Sequence, residues 1–215
     1  MKFKLHFAAL LLTLGLMQSC APTVFTSPNF TSVKKSHKTV AILPFDVFIS
    51  MKKLPKGGTA EQLKADEEKT AFTAQGHAFT YLLKETGKNK YTVDFQDIDQ
   101  TNALLKKNSL DYTTLKSKTK DEIAKVLGVD AVLTGKIIME KPMNDGAAIA
   151  LGLLVGFWGN TNKITTALTI HNGADGKLLW KYDWEANGSV GSSTENLTKS
   201  LMRSVSKNFP YTKSK

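Results

Sequence analysis

The stretch Ala124-Lys-Val-Leu-Gly-Val-Asp-Ala-Val-Leu-Thr-Gly-Lys136 decides the fold, because it runs from the end of a helix directly into a strand. The capping-box pattern at 119–122 is typical of a helix start, and Gly128 is typical of a helix end. The apolar run that follows Asp130 predicts a strand. We expect Gly135, inside that strand, to permit close packing against a neighbouring element.

A second apolar run, Val40-Ala-Ile-Leu-Pro-Phe45, predicts a strand that is buried on both faces, as in a parallel sheet, and that ends at Pro44. Between the two runs the pattern favours a long helix over about 59–85, a strand at 91–95 and a short helix capped by Asp99. Four residues of the long helix share one stripe at helical spacing and are predicted to face the core: Phe72, Gly76, Phe79 and Leu83.

The last third of the chain predicts an antiparallel hairpin followed by a helix. Strands are expected at 163–171 and 177–185, joined by a tight turn at Asn172–Gly176, and the helix is expected from about Ser192 to Pro210. The order β-α-β-α-α-β-β-β-α therefore predicts an α/β fold, a mixed sheet of about five strands with helices packed on it in two or three layers. Right-handed crossovers would make the first three strands parallel.

The N-terminus has the features of an export signal. A short positive region precedes an apolar run at Leu5–Met17, which suits a signal peptide and is too short to span a bilayer as a helix. The sequence Leu16-Met17-Gln18-Ser19-Cys20 resembles the lipobox of bacterial lipoproteins, which implies cleavage before Cys20 and acylation of its sulfur and its new amino terminus. The alternative is an ordinary signal with a chance cysteine.

These signals divide the chain into four parts: a signal peptide at 1–19, a lipidated tether at 20–36, one α/β domain at 37–210 with an apolar insertion at 142–162, and a tail at 211–215. The tether is expected because 21–36 is rich in Pro, Thr, Ser and Asn and lacks periodicity. Ala21 stands where aspartate retains lipoproteins at the inner membrane in enteric bacteria, so by analogy we expect an outer-membrane anchor that faces the periplasm.

Composition limits the kinds of partner and cofactor. The formal net charge of +10 favours anionic partners, although lysines scattered along the chain are also typical of a solvated surface. Basic stretches lack interleaved aromatic residues, so no nucleic-acid partner is expected. One cysteine excludes a disulfide within the chain, and no Cys/His cluster has metal-ligand spacing. We expect no metal and no other cofactor.

The two apolar runs, the lipobox and the element order together resemble the CsgG-type envelope lipoproteins over about residues 37–210. That group includes the curli-secretion channel, lipoprotein activators of penicillin-binding proteins and small lipoproteins of unassigned role, and the last branch is the most similar. The resemblance implies a domain like the N-terminal domain of TolB and the anticodon-binding fold. It also implies a non-enzymatic protein that faces the periplasm and forms oligomers.

The stretch Gly146–Gly159 carries no charge in 14 residues. Three interpretations stay open: a loop or short helix packed on its own core, an interface with a subunit or partner, or insertion into a membrane. The third requires oligomerisation, because the backbone of an unpaired strand would be unsatisfied in lipid. The residues predicted to make an interface or membrane contact are Ile149, Leu151, Leu153, Val155, Phe157 and Trp158.

Catalysis is the least favoured function. Five aspartates are expected near strand ends, where α/β proteins often place ligands. Helix capping explains Asp97 and Asp99 better, and strand entry explains Asp130 better. The chain lacks a phosphate-binding loop and a Gly-x-Ser-x-Gly elbow, so no catalytic residue is predicted. We expect an accessory or scaffold lipoprotein that binds partners in envelope assembly, secretion or cell-wall synthesis; the alternatives are a secretion pore built from 146–159 and, third, a hydrolase. The five aspartates are Asp46, Asp94, Asp97, Asp99 and Asp130.

Overall fold

The computed structural model describes residues 22–51, 54, 57–141, 163–187 and 194–213. The predicted signal peptide, Cys20 and the apolar insertion at 142–162 lie outside these ranges. The strands are β1 (Thr23–Thr26), β2 (Thr39–Ile42), β3 (Asp46–Met51), β4 (Asp94–Phe95), β5 (Ala131–Lys141), β6 (Lys163–Asn172) and β7 (Leu178–Asn187). The helices are α1 (Phe30–Val33), α2 (Ala60–Thr86), α3 (Ile98–Lys107), α4 (Lys120–Leu127) and α5 (Thr194–Asn208), with a 3-10 helix at Thr114–Ser117.

The seven described strands form one mixed sheet in the order β1-β7-β6-β5-β2-β4, and β3 pairs with β5 beside β2. Strands β2, β4 and β5 are parallel, whereas β6 and β7 form an antiparallel hairpin that is continued by β1. The predicted α/β class with a mixed sheet, packed helices and a C-terminal hairpin followed by a helix is confirmed. Two strands, β1 and β3, exceed the expected number.

Strand β3 exists because the chain resumes pairing after Pro44. The segment β2 pairs with Ala131–Leu133 of β5, and β3 pairs with Lys136–Lys141 of the same strand. Between the two pairings the ring of Phe45 lies over Gly135, where a side chain would contact it. The predicted close packing at Gly135 is therefore confirmed, and Pro44 is a kink between two strands.

Residues 22–36 differ from the expected tether. Residues Thr23–Thr26 pair antiparallel with Trp180–Asp183 of β7, and the buried ring of Phe30 contacts Tyr211 edge-on at 5.4 Å between centroids. Both contacts are with residues about 150 or more positions away in sequence, so local composition does not reveal them. The described fold begins near Thr23, within the segment expected to be a tether.

Helix α2 begins with the predicted Thr59/Gln62 capping box, but its buried face differs from the predicted stripe. Phe72 is 38% exposed and Leu83 is 51% exposed, whereas Phe79 is partly buried and packs against the core as predicted. Gly76 faces Ile98 of α3, 4.0 Å from the position of an added Cβ. The helix instead packs small side chains against the sheet, which brings its backbone close to the strands; the buried residues are Thr70, Ala71, Ala74, Gln75, Ala78, Leu82 and Glu85.

Helices cover both faces of the sheet at β2, and this makes three layers there. Helices α2 and α5 pack on one face, and α3, the 3-10 helix and α4 pack on the other. Helix α4 has the predicted capping box, and Gly128 ends it in the left-handed conformation at φ 66°. The smaller cluster under α3 and α4 consists of Ala41, Leu43, Leu105, Leu110, Leu115, Ile123, Ala124, Leu127 and Val132.

The start of the predicted C-terminal tail is part of the core. Tyr211 is fully buried, and its carbonyl accepts a hydrogen bond from the Thr92 backbone. The buried His37 donates from Nε2 to Asn172 Oδ1 at 3.2 Å, so its Nδ1 accepts from the Tyr211 hydroxyl at 2.6 Å. Burial, followed by the charge of Asp130, raises the pKa of Tyr211 above its ordinary range. The fold therefore continues past Pro210.

Candidate membrane anchor and binding groove

One end of the sheet lies close to the predicted acylation site. Two residues, Ala21 and Pro22, separate Cys20 from the first residue of β1. Because a chain extends by at most about 3.6 Å per residue, the Cα atom of Cys20 lies within about 11 Å of that of Thr23. Thr23 is opposite Asp183, and β7 continues beyond it by four residues, or about 14 Å, to Asn187.

Several other strands begin or finish at this end. Asn187 is opposite Lys163, where β6 begins, and Lys163 is the partner of Glu140 near the end of β5. The last residue of β3, Met51, is opposite Lys141, the last residue of β5. The connection 142–162 therefore leaves and re-enters the sheet at the end where β1 begins. We call this end, at residues 51, 141, 163 and 187, the anchor end.

A groove with a volume of about 410 Å³ lies between α2, α3 and the loop that follows α3. The buried side chains of Leu105, Leu110 and Leu115 line its interior, and the partly exposed Phe72 belongs to its wall. The remaining lining residues are Pro44, Glu68, Asn102, Lys106, Ser109, Asp111 and Tyr112. We call this surface the α2–α3 groove.

A smaller polar pocket of about 120 Å³ adjoins the α2–α3 groove and shares Pro44, Tyr112 and Leu115 with it. The Lys116 ammonium lies 2.7 Å from Asp46 Oδ1 and 4.1 Å from the ring centroid of Tyr112. Burial acts to lower the pKa of Lys116, but the hydrogen bonds to Asp46 and Tyr112 outweigh it, so the net effect raises the pKa. The pocket therefore holds a fixed cation.

Lys120 lines the same pocket at the first position of α4 and is half-buried. Burial lowers the pKa of its ammonium, and the nearby Asp46 carboxylate opposes that change. Among the residues that the structure describes, no carboxylate lies within ion-pair distance of Lys120. A desolvated lysine without a paired carboxylate, at the positive end of a helix, favours an anionic group from outside.

The outer edge of β3, beside the groove, is closed by side chains. The backbone N–H of Val47 donates to the Tyr112 hydroxyl at 3.0 Å, and that of Ile49 donates to Glu67 Oε1 at 2.9 Å. These groups would otherwise be free to pair with a strand from another chain. A partner that binds here must therefore use its side chains rather than extend the sheet.

The aspartates considered for catalysis have separate structural contacts. Asp97 caps α3 by accepting from the backbone of Asp99 and Gln100. Of the two aspartates predicted as helix caps, Asp97 is therefore confirmed, whereas Asp99 lies in the first turn of the helix. Asp130 Oδ2 accepts from the backbone N–H groups of residues 38 and 39, at 2.7 and 2.9 Å. Asp46 pairs with Lys116, and Asp94 is exposed on the edge strand β4. Asp97, Asp130 and Asp46 are therefore each used in a structural contact.

Within the described ranges, no group of three or more His, Cys, Asp or Glu side chains is placed to hold a metal ion. No helix in the same ranges combines the length and apolar character needed to cross a membrane. The predicted contact residues from Ile149 to Trp158 lie outside the ranges.

Comparisons with known proteins give structural matches only. No protein-family model matches the chain, and no curated protein is similar to it at a significant level. Lipoprotein GNA1162 from Neisseria meningitidis is 15% identical with a TM-score of 0.42, covering 79% of this chain and 94% of that one. A PelC dodecamer from Paraburkholderia phytofirmans is 10% identical with a TM-score of 0.45, covering 86% of this chain and 96% of that one. The LpoB C-terminal domain from Salmonella enterica is 11% identical with a TM-score of 0.38, covering 75% of this chain and 94% of that one.

One of these three proteins is named as a lipoprotein, and none is named as a CsgG-type protein. At these identities and TM-scores the matches carry no argument about function.

The sequence did not reveal the α2–α3 groove. The groove depends on how α3 and the loop that follows it pack against α2, and no local sequence pattern encodes that packing.

Proposed function

We propose that the chain is a lipid-anchored accessory lipoprotein of the cell envelope that acts by binding partner proteins rather than by catalysis. In this proposal Cys20 carries the acyl chains, and the protein is of the CsgG type, faces the periplasm from the outer membrane and takes part in assembly, secretion or cell-wall synthesis. Acylation confines the domain to the membrane surface and raises its effective concentration for partners there.

The observation that carries the proposal is the distance of at most about 11 Å between Cys20 and β1. A lipid on Cys20 would hold the anchor end of the sheet beside the bilayer. The opposite end, with the hairpin turn at 173–176, would point away from the membrane. The length of β6, from Lys163 to Asn172, separates the two ends by about 30 Å.

Site-specific labelling tests both the anchor and this orientation. Acylated Cys20 leaves no free thiol, because the chain has one cysteine. We would introduce Ser50→Cys near the anchor end and Ala174→Cys in the hairpin turn, both at exposed positions, and attach a fluorophore in proteoliposomes. Nitroxide lipids should quench the label at 50 and not the label at 174. Equal quenching, or a Cys20 found without lipid by mass spectrometry, would contradict the proposal.

A pore component is the second candidate function. The connection that carries the uncharged stretch 146–159 leaves the sheet at the anchor end, which would place it next to the bilayer. Several copies would be required, since lipid cannot satisfy the backbone of a lone strand. Acylated protein should then release a trapped dye from vesicles, and Gly152→Asp should abolish the release. Vesicles that stay sealed would exclude this candidate.

A further inference from the structure

The α2–α3 groove and the adjoining polar pocket form one continuous surface of mixed chemistry. We propose that this surface binds an extended segment of a partner protein in which a bulky apolar side chain is accompanied by a neighbouring carboxylate. The inference rests on the proposed function, since it names the kind of partner that an accessory lipoprotein would bind.

The apolar part of the groove fits a bulky side chain. Its volume of about 410 Å³ is within the usual range for pockets that bury a ligand. The three buried leucines of the groove lie at its floor, and the aromatic side chain of Phe72 in its wall is 38% exposed to solvent. An apolar side chain placed between Phe72 and the leucines would remove that ring from water, and this favours binding.

The charges in the polar pocket favour a carboxylate. Its lining contains two lysines, Lys116 and Lys120, and one carboxylate, Asp46. Asp46 pairs with Lys116, so among the described residues Lys120 is the cation of this pocket that has no ion-pair partner. The α2–α3 groove itself is lined by one lysine, Lys106, and two carboxylates, Glu68 and Asp111. The excess of positive charge therefore lies in the pocket and not in the groove.

The polar pocket defines where one carboxylate would bind. Lys116 is fixed by Asp46 and by the Tyr112 ring, and Lys120 faces the same space of about 120 Å³. A carboxylate that enters beside Lys120 would receive a charge-assisted hydrogen bond and restore the solvation that the ammonium loses on burial. Because the edge of β3 is closed, the segment would bind through its side chains.

The test is a selection from a random decapeptide library displayed on phage, with the acylated full mature chain in zwitterionic nanodiscs as the target. Phe72→Ser and Lys120→Gln alter the groove. Leu83→Ser on the same helix, at 51% exposure, and Lys125→Gln on α4 are the matched controls outside it. Enriched peptides would be synthesised and their affinity measured by fluorescence anisotropy against each variant and against empty nanodiscs.

Enriched peptides should combine a Leu, Phe or Trp with neighbouring Asp or Glu. Phe72→Ser and Lys120→Gln should each weaken binding about tenfold, the two controls should change it less than twofold, and added salt should weaken it further. The proposal is overturned if no peptide is enriched over the Phe72→Ser target, or if the enriched peptides are basic. Anionic phosphatidylglycerol vesicles that bind with the same variant dependence would assign the surface to lipid and overturn it too.

The outcome is separable from that of the proposed function. Acylated Cys20 and an anchor end beside the bilayer, combined with failed peptide binding, would reject this inference and keep the lipoprotein. Peptide binding by a chain whose Cys20 carries no lipid would keep this inference and reject the proposed lipid anchor.

Discussion

Replacing Gly135 with alanine is expected to destabilise the fold strongly, because the ring of Phe45 occupies the space of the missing side chain. An added Cβ would lie 2.5 Å from two ring carbons and 2.9 Å from a third. Carbon atoms in contact lie about 3.5–4.0 Å apart, so the ring would have to move by about 1 Å or more. Phe45 is 2% exposed, and a ring displaced into the adjoining polar pocket would lose its contacts with the core. We therefore expect a loss of about 3 kcal/mol in the free energy of unfolding, the upper part of the range for overpacked cores.

Equilibrium unfolding in guanidinium, followed by tryptophan fluorescence in a Cys20→Ser background, measures this effect. Gly76→Ala is the matched control, since its Cβ would meet only Ile98 at 4.0 Å inside a helix, and we expect it to stabilise the protein by about 0.5–1 kcal/mol. Phe45→Leu should recover part of the loss in the Gly135→Ala background, because a smaller side chain relieves the overlap. A Gly135→Ala protein whose free energy of unfolding is within about 0.5 kcal/mol of wild type would refute the reasoning. A double-mutant cycle of Gly135→Ala and Phe45→Leu that gives no coupling energy would refute it as well.

Three further outcomes are expected. Gly128→Ala should destabilise the protein by about 1–2 kcal/mol in the same assay, because its φ of 66° strains any residue with a Cβ although the space around it is open. Tyr112→Phe should lower stability by about 1–3 kcal/mol and increase hydrogen exchange at Val47, whose buried N–H loses its acceptor; unchanged exchange would argue against a closed β3 edge. Hydrogen bonds from Lys88 and then Lys90 lower the pKa of Glu85, so its contribution is present above the unfolded pKa and disappears as pH falls. Glu85→Gln should therefore destabilise the protein at pH 7 and much less at pH 3, and equal effects at both pH values would contradict this.

Local signals predicted the elements that depend on neighbouring residues. The capping boxes at Thr59 and Thr119, the left-handed Gly128 and the Asn172–Gly176 turn each act within a few residues, and the structure has all of them. The parallel core strands also followed from the sequence, because apolar runs of that length are buried on both faces.

Predictions failed where distant residues decide the outcome. Strand β1 is four residues in a polar stretch and pairs with β7, which lies more than 150 positions later. The buried face of α2 was assigned to its large side chains, whereas Ala71, Ala74 and Ala78 allow the close approach to the sheet. The α2–α3 groove depends on where α3 and its following loop lie against α2, and no local pattern encodes that position.

The short link before β1 limits how far the protein could act from its membrane. A free tether of 16 residues would have extended up to about 55 Å. With Cys20 acylated as proposed, the reach is instead set by the diameter of the fold itself, which is about 40 Å for a domain of this size. Partners would then have to approach the bilayer, and a protein held on the far side of the periplasm would lie beyond contact unless it extended toward this one.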